Sequence, residues 1–159
     1  MKFSVATPTR NNLDKLRRCI GSVRGQTDIG VEHIIQDALS VDGTAAWLES
    51  QLDIDWRSEA DSGMYEAINR CWSRAGGEFL CWLNSDEQYL PGTFKKVMAF
   101  FAANPEVDVL YGDALVIAPD GRPIAARREI RLSKTYISKS DPFCPRLAKE
   151  ATTEHAPFS

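Results

Sequence analysis

The sequence has few histidines, and its cysteines do not occur in closely spaced pairs. It has two histidines, His33 and His155, and no two of its four cysteines are separated by only two residues, so the usual ligand spacing of a zinc site is missing. Cys19 and Cys71 fall on the apolar faces of predicted helices, and Cys81 falls within a predicted strand. These thiols are predicted to be buried, which fits a reducing cytosol better than a fold held by disulfides.

Long apolar runs and a strong excess of one charge are also lacking. No run approaches the roughly 18 apolar residues of a membrane-spanning helix, and the first apolar stretch ends at Pro8 and Arg10, too early for the core of a signal peptide. The formal net charge is -3, and the basic residues at 122–131 are dispersed, so no nucleic-acid partner is expected. We expect a soluble cytoplasmic chain, with the inner face of the membrane as the alternative place of action.

Glycine-rich phosphate loops are a third absence. The first strand is followed by neither Gly-x-Gly-x-x-Gly nor Gly-x-x-x-x-Gly-Lys, so the usual phosphate cradles of dinucleotide oxidoreductases and P-loop ATPases are missing. The sequence also shows no Ser–His–acid arrangement and no context for a reactive cysteine. His33 lies inside a predicted strand, which indicates a structural histidine.

Strand and helix signals alternate along residues 3–128. Short apolar runs predict strands at Phe3–Thr7, Val31–Gln36, Trp56–Glu59, Glu78–Leu83 and Val107–Tyr111. Apolar residues at helical spacing predict helices that start after Asn11 or Asn12, at Ala45–Leu52, at Met64–Arg74 and from Pro91. A hairpin is predicted at Leu115–Ala118 and Ile124–Arg128, across Asp120-Gly121. The alternation predicts an α/β fold with a mostly parallel sheet and helices on both faces.

Polar and acidic residues follow the predicted strands. In an open parallel sheet, ligands bind beyond the carboxyl ends of the strands. The residues at those ends are Thr7-Pro8-Thr9-Arg10, Asp37, Glu59-Ala60-Asp61, Asn84-Ser85-Asp86-Glu87 and Asp113. Any one acid could be a helix cap or a turn former, as Asp42 is in Asp42-Gly43-Thr44. Several acids at one edge repel each other, however, and a divalent cation or a donor-rich ligand would offset that repulsion.

The segment Asn84-Ser85-Asp86-Glu87 has the spacing of a cation site. Alternate residues of an extended segment point the same way, so Asn84 and Asp86 would offer two oxygens to one ion, with Glu87 in reserve. Hard oxygen ligands suit Mg²⁺ or Mn²⁺, which also take phosphate oxygens. A metal held there would neutralise a departing diphosphate.

Four segments in this order resemble the motifs of family 2 glycosyltransferases. Ser4–Asn11 is similar to their opening strand, Ile34–Thr44 to their second-strand motif, Ser58–Asn69 to a segment typical of the bacterial polysaccharide branch, and Leu83–Glu87 to their Asp-x-Asp metal motif. The resemblance implies a GT-A type Rossmann-like sandwich and a nucleotide diphosphate sugar as donor. It also implies a saccharide or lipid-linked saccharide as acceptor, Mn²⁺ or Mg²⁺ as cofactor, and inversion at the anomeric carbon.

The resemblance assigns roles to individual residues as well. It places Thr7, Pro8 and Asp37 in the base and ribose pocket, and Asp86 as the main metal ligand. The complete set of donor-binding residues that it implies is Thr7, Pro8, Thr9, Arg10, Asp37, Glu59, Asp61, Asn69, Asn84 and Ser85.

The chain departs from the family in two ways. Asn84 stands where the metal motif begins with Asp. Family members are also longer, and the Asp or Glu that deprotonates the acceptor lies on a later segment. The catalytic base is therefore unknown, and the candidates that this chain offers are Asp113, Glu154 and His155.

The composition changes after about Leu132. We therefore expect a nucleotide-sugar-binding domain at 1–132 and an irregular tail, or the start of the acceptor-binding region, at 133–159. If the acceptor side is truncated, the unclosed sheet edge favours self-association, so a homo-oligomer is also expected.

Three functions stay open on the sequence. The first is a metal-dependent glycosyltransferase of surface polysaccharide biosynthesis. The second is a nucleotide-diphosphate-binding module without turnover, because the base and the acceptor wall are missing. The third is a signalling domain of the receiver type, which also clusters acids at strand ends but needs a lysine after a late strand, and none is evident.

Overall fold

The structure of the chain, a computed structural model, describes residues 2–27 and 29–127 together with the backbone of 153–156. The chain divides into two compact units, residues 1–95 and 96–159. The domain boundary predicted at residue 132 lies outside the described residues.

The first unit alternates strands and helices. They are β1 (Lys2–Thr9), α1 (Leu13–Arg24), β2 (Gly30–Asp37), α2 (Thr44–Glu49), β3 (Ile54–Ser58), α3 (Met64–Arg74) and β4 (Phe79–Trp82), and α4 (Thr93–Ala103) starts at the end of the unit. The strands form one parallel sheet in the order β3-β2-β1-β4. The predicted α/β fold is confirmed, although α2 ends at Glu49 rather than Leu52 and α4 starts at Thr93 rather than Pro91.

The strand order reverses at β1. Because crossovers between parallel strands are right-handed, α1 and α2 lie on one face of the sheet and α3, which leads to β4, lies on the other. On the first face, Leu16 and Ile20 of α1 and Leu48 of α2 pack with Ile35 and Ile54 in a buried cluster. On the other face, α3 packs against β1 and β2. The loops after β1 and β4 therefore meet where the order reverses, which is where open α/β sheets bind ligands.

β1 continues through Pro8, beyond its predicted end at Thr7. Within the described residues, β4 pairs only with Phe3–Ala6, so that side of β1 needs no ladder bond at Pro8. The carbonyl of Ala6 accepts from the N–H of Leu83 on the β4 side. Residues two apart along a strand direct their backbone groups to the same side, so the nitrogen of Pro8 also faces the β4 side. At that position no described strand pairs with β1. β1 can therefore continue beyond its predicted end and carry Thr9 to the carboxyl edge of the sheet.

The start of α1 is capped by a distant acid and not by the predicted asparagine. Asn12 occupies the N-cap position, but its side chain makes no capping hydrogen bond within the described part of the chain. The first helical N–H, that of Leu13, donates instead to Oδ2 of Asp42 over 3.0 Å. Asp42 also accepts from the N–H and the hydroxyl of Thr44, so the predicted turn at Asp42 is confirmed and is joined to α1.

The described part of the second unit contains the remainder of α4 and the strands β5 (Val109–Gly112), β6 (Ala114–Ile117), β7 (Pro123–Arg127) and β8 (Thr153–Ala156). β5 pairs in parallel with β8, whereas the sequence predicts a sheet of five successive strands. β6 and β7 form the predicted antiparallel hairpin, and its turn includes Gly121 at φ 84°. Among the described residues, every helix is too short or too polar to cross a membrane.

Candidate functional site

An open cleft of about 380 Å³ lies at the carboxyl edge of the sheet in the first unit. It is formed by the loops that follow β1, β2, β3 and β4 and by the start of α3. The side chains that line it are Pro8, Thr9, Arg10, Asn12, Ala38, Asp61, Met64, Ala67, Asn84, Ser85 and Asp86. The sequence predicts the following of these as site residues: Pro8, Thr9, Arg10, Asp61, Asn84, Ser85 and Asp86. The strand reversal thus brings together residues from distant parts of the first unit.

The loop after β4 is a closed turn. The N–H of Glu87 donates to the carbonyl of Asn84 over 2.9 Å, and the N–H of Asn84 donates to Oε2 of Glu87 over 3.1 Å. Glu87 is thus engaged in holding the loop. Asp86, whose side chain is 53% exposed, lines the cleft beside Asn84. The turn presents two oxygen-bearing side chains to the same space.

Asn84 carries an oxygen that the described part of the chain leaves without a hydrogen-bond partner. Oδ1 of Asn84 is buried, and no described residue donates a hydrogen bond to it. The hydroxyl of Thr9, a residue only 5% exposed, is a second buried atom without a partner among the described residues. Such atoms are unfavourable unless a ligand, a water or an ion supplies the missing interaction. Because both residues line the cleft, it has the chemistry of a site for a polar or charged ligand.

The loop supplies part of a coordination shell for a divalent cation. Among the described residues, no three His, Cys, Asp or Glu side chains lie together in a metal-binding group. Asp86 and Asn84 nevertheless both line the cleft, and each carries a hard oxygen; that of Asn84 is buried and without a partner among the described residues. Mg²⁺ is usually held by about one or two carboxylates, with water and substrate phosphates in the remaining positions. The residues therefore fit an ion whose shell is completed by a diphosphate.

Asp37 is buried and organises the loops beside the cleft without lining it. Its Oδ2 accepts from the N–H of Ser40 over 3.1 Å and from the hydroxyl of Ser58 over 2.6 Å, and its Oδ1 accepts from the hydroxyl of Ser40. The Oγ of Ser40 in turn accepts from the N–H of Asn11 over 2.7 Å. This network spans the two loops that contain Asn11 and Leu39, which have φ angles of 49° and 54°, where non-glycine residues are uncommon.

The loop between β3 and α3 is clamped by Arg70. Its guanidinium donates to the carboxylate of Glu59 over 3.2 Å, to the carbonyl of Ala60 over 2.9 Å and to the carboxylate of Glu66. Glu66 also accepts from the N–H and hydroxyl of Ser62. The hydrogen bonds from Ser62, and then that from Arg70, lower the pKa of Glu66 to about 2. Glu59, a predicted donor residue, is engaged in this clamp and is not among the residues that line the cleft.

Asp61 reaches the cleft from this clamped loop. Its Oδ1 accepts from the N–H of Gly63 over 3.0 Å, and Gly63 has a φ of 136°, a conformation that favours glycine. Met64 and Ala67 of α3 line the cleft as well. Asn69, which was also predicted for the site, follows Ala67 by two positions, a rotation of about 200° around the helix. It therefore lies on another side of α3, outside the lining of the cleft.

Thr7 is buried in β1 and belongs to the core. Its hydroxyl and Nε2 of His33 are hydrogen bonded at 2.8 Å. Burial, aided by the positive charge of Arg24, lowers the pKa of His33 from its ordinary 6.5 to about 4, so the ring is neutral and structural at pH 7. Burial likewise raises the pKa of the thiols of Cys19 and Cys71 to about 12, which makes them unreactive.

Sequence reasoning missed several residues of the cleft, namely Asn12, Ala38, Met64 and Ala67. Asn12 is of a type that caps helices, and Met64 and Ala67 belong to the apolar stripe of α3, so their types indicate structural roles. Their positions in the sequence, and not their residue types, indicate that they belong to the site. Ala38 directly follows a predicted site acid, and α3 starts directly after the loop that bears Asp61.

Known proteins match most of the chain. The profile of Glycosyl transferase family 2 matches residues 4–153. A PGL/p-HBAD biosynthesis glycosyltransferase of Mycobacterium bovis is 32% identical over 122 residues, which cover 72% of this chain and 47% of the relative. The putative teichuronic acid biosynthesis glycosyltransferase TuaG of Bacillus subtilis is 32% identical over 126 residues, which cover 76% of this chain and 50% of the relative. The chain thus spans about half the length of these relatives.

Two solved structures share the fold. TarS 1-349 of S. aureus in complex with UDP-GlcNAc has a TM-score of 0.65 and 26% identity, over 79% of this chain and 37% of TarS 1-349. The mannosyltransferase PcManGT of Pyrobaculum calidifontis, in complex with GDP-Man and Mn²⁺, has a TM-score of 0.59, over 74% of this chain and 36% of its own; at 22% identity it supports the fold alone. The parallel sheet with its order reversal is the predicted GT-A type of α/β fold. Motifs, fold and family profile agree, and the chain belongs to glycosyl transferase family 2.

Proposed function

We propose that the cleft binds a nucleotide diphosphate sugar and that its sugar is transferred, with inversion, to a hydroxyl of a saccharide or lipid-linked saccharide. The observation that carries the proposal is that Asp86 lines the cleft beside Asn84, whose Oδ1 has no partner among the described residues, at the strand reversal of a family 2 fold. An acidic and a neutral oxygen ligand in one cleft suit a cation that is shared with a diphosphate.

The diphosphate end of the donor would lie against the loops after β1 and β4. Asp86 is the proposed main ligand of Mn²⁺ or Mg²⁺, and Asn84 the second. When bound, the cation would neutralise the nucleoside diphosphate as it leaves the sugar. The hydroxyl of Thr9 and the guanidinium of Arg10 can donate to phosphate or ribose oxygens.

The nucleoside end would lie beside the loops after β1 and β2. Pro8 and Ala38 offer apolar surface in the cleft. The carboxylate of Asp37 already accepts hydrogen bonds from Ser40 and Ser58. Asp37 would therefore recognise the nucleoside by exchanging the N–H of Ser40 for a base N–H or a ribose hydroxyl. Asp61, on the loop between β3 and α3, can accept a hydrogen bond from a hydroxyl of the ribose or of the sugar.

Relatives suggest the class of product. The mycobacterial relative is named for PGL/p-HBAD biosynthesis and the Bacillus relative for teichuronic acid biosynthesis, and TarS was solved with UDP-GlcNAc. Both relatives are thus named as glycosyltransferases of a biosynthetic route, and TarS binds a nucleotide sugar. We therefore propose that the transfer is a step of surface polysaccharide biosynthesis, in the cytoplasm or at the inner face of the membrane.

The catalytic base is the part of the mechanism without an assigned residue. A base must lie within about 3 Å of the acceptor hydroxyl, directly or through one water. Asp113 lies in the second unit, and the side chains of Glu154 and His155 fall outside the described residues. Because the chain spans about half of its relatives, donor binding without turnover is the second candidate function for this chain alone.

Nucleoside diphosphate release separates the two functions. The chain would be incubated with a panel of UDP- and GDP-sugars and Mn²⁺, with and without saccharide acceptors, and binding would be measured in parallel. Binding with no release supports the donor-binding module, and release or transfer supports the complete enzyme. If no donor binds at millimolar concentration, both functions are contradicted.

A further inference from the structure

Asn12 has the chemistry of a helix cap but donates its hydrogen bond elsewhere. Its Nδ2 donates to the Oγ of Ser85 over 3.1 Å, and Asp42 serves the N–H of Leu13 that starts the helix. Ser85 is only 8% exposed and lies between Asn84 and Asp86 in the loop after β4. The side chain that the fold could use to cap α1 is therefore used to hold this loop.

Lys15 contacts the same loop one position farther along. Its Nζ lies 3.8 Å from Oδ2 of Asp86, and both side chains are about half exposed. Asn12 is the N-cap residue of α1 and Lys15 lies in its first turn, so the start of the helix contacts the loop at two points. The first turn of α1 thus touches two consecutive loop residues, Ser85 through a neutral hydrogen bond and Asp86 through a positive charge.

We propose that the first turn of α1 is a positioning element for the metal-binding loop. Asn12 fixes the loop through Ser85, so that Asp86 and Oδ1 of Asn84 face the same space. Lys15 is the resident counter-charge of Asp86 and is displaced when a divalent cation binds. This inference rests on the proposed metal role of Asp86, and neither Asn12 nor Lys15 is a ligand in it.

The Asn12→Ala variant tests the positioning role. Partners that orient metal ligands typically change metal affinity by about 10- to 100-fold when removed. We expect the Mn²⁺ concentration that supports half-maximal binding of UDP or GDP to rise by about tenfold. Because Asn12 makes no capping bond in the described structure, the melting temperature should stay unchanged.

Asp42→Ala is the matched control, since it removes the side chain that serves the helix start. We expect it to lower the melting temperature, and to change the Mn²⁺ dependence of the folded protein less than Asn12→Ala does. If Asn12→Ala instead lowers melting as Asp42→Ala does, with an unchanged Mn²⁺ requirement, Asn12 is a structural residue and the inference is overturned.

Lys15→Met tests the counter-charge. An exposed ion pair is a weak competitor, so Mn²⁺ should bind about two- to fivefold more tightly at low salt. Lys95→Met, which removes another exposed lysine of the first unit, should have no effect. Weaker Mn²⁺ binding by Lys15→Met would contradict displacement. If the unaltered chain binds the nucleotides equally well with and without Mn²⁺, the proposed metal role of Asp86 is contradicted. If the unaltered chain depends on Mn²⁺ and Asn12→Ala has the same dependence, the positioning role alone is contradicted.

Discussion

The hydroxyl of Ser58, the last residue of β3, donates a 2.6 Å hydrogen bond to the carboxylate of Asp37, the last residue of β2. Together with the two bonds from Ser40, it ties the ends of two neighbouring strands to one buried acid. Asp37 therefore acts on the cleft first through the loops that it holds. Any direct contact with a nucleoside has to replace one of these internal donors.

Asp37→Asn exchanges one acceptor oxygen for an NH₂ donor that faces the donors of Ser40 and Ser58. We expect both nucleoside affinity and stability to fall, the latter by about 1–3 kcal/mol, as for a buried polar group left mismatched. Calorimetry with UDP and GDP and thermal melting would measure the two effects. Ser58→Ala, which removes a single donor to Asp37, should lower both nucleoside affinity and stability by less.

The pattern of losses separates two roles for Asp37. Weaker nucleoside binding with unchanged melting would assign direct recognition alone. Lower melting with unchanged binding would show that Asp37 only forms the turn, and would contradict its proposed place in the nucleoside site.

Asp86→Ala should abolish the Mn²⁺-dependent part of nucleoside diphosphate binding and leave the fold intact. The side chain is 53% exposed, so its removal costs little packing. Glu49→Ala, which removes an exposed acid from α2, is the control and should bind normally. Equal binding by Asp86→Ala with and without Mn²⁺, at the affinity of the unaltered chain, would show that Asp86 is not the ligand.

Arg70→Met should loosen the loop that presents Asp61 to the cleft. Because Arg70 holds the loop by several hydrogen bonds and does not line the cleft, we expect donor affinity to fall by about 2- to 10-fold, the equivalent of one lost hydrogen bond. Arg70→Lys, which keeps the charge but loses the forked geometry, should be intermediate. Unchanged donor affinity in Arg70→Met would show that the loop holds its shape without the clamp.

His33 should make stability fall in mild acid. Its pKa is about 4 in the folded protein and near 6.5 when exposed, so the unfolded chain takes up the proton first as the pH falls. Between pH 7 and pH 5 this difference should remove about 2 kcal/mol of the free energy of unfolding. Urea unfolding at the two pH values would measure it. His33→Gln should lack this part of the loss; an equal pH dependence in both proteins would contradict the assignment.

The regular elements were predictable because their signals are local. α3 has the predicted bounds, Met64 to Arg74, since apolar residues recur at helical spacing and Gly76-Gly77 follows. Asn84 and Asp86 both line the cleft, but they do so from a turn and not from the predicted extended segment, and Ser85 between them lines the cleft as well.

The parts that were not predictable depend on contacts between distant segments. The bond between Asp37 and Ser58 follows from the register of β2 against β3, which no local pattern specifies. Asn12 is another case: its residue type indicates a cap, but Asp42 takes that role, and Asn12 is free to contact Ser85.

The central claim is that the cleft binds a nucleotide diphosphate sugar with a divalent cation. The most direct test is a calorimetric titration of UDP- and GDP-sugars into the chain in the presence of Mn²⁺ and, in parallel, of EDTA. We predict saturable binding of at least one donor at a single site, with a Kd in the millimolar range or tighter and a clear loss of affinity in EDTA. No binding of any nucleoside diphosphate or nucleotide sugar at millimolar concentration would contradict the account.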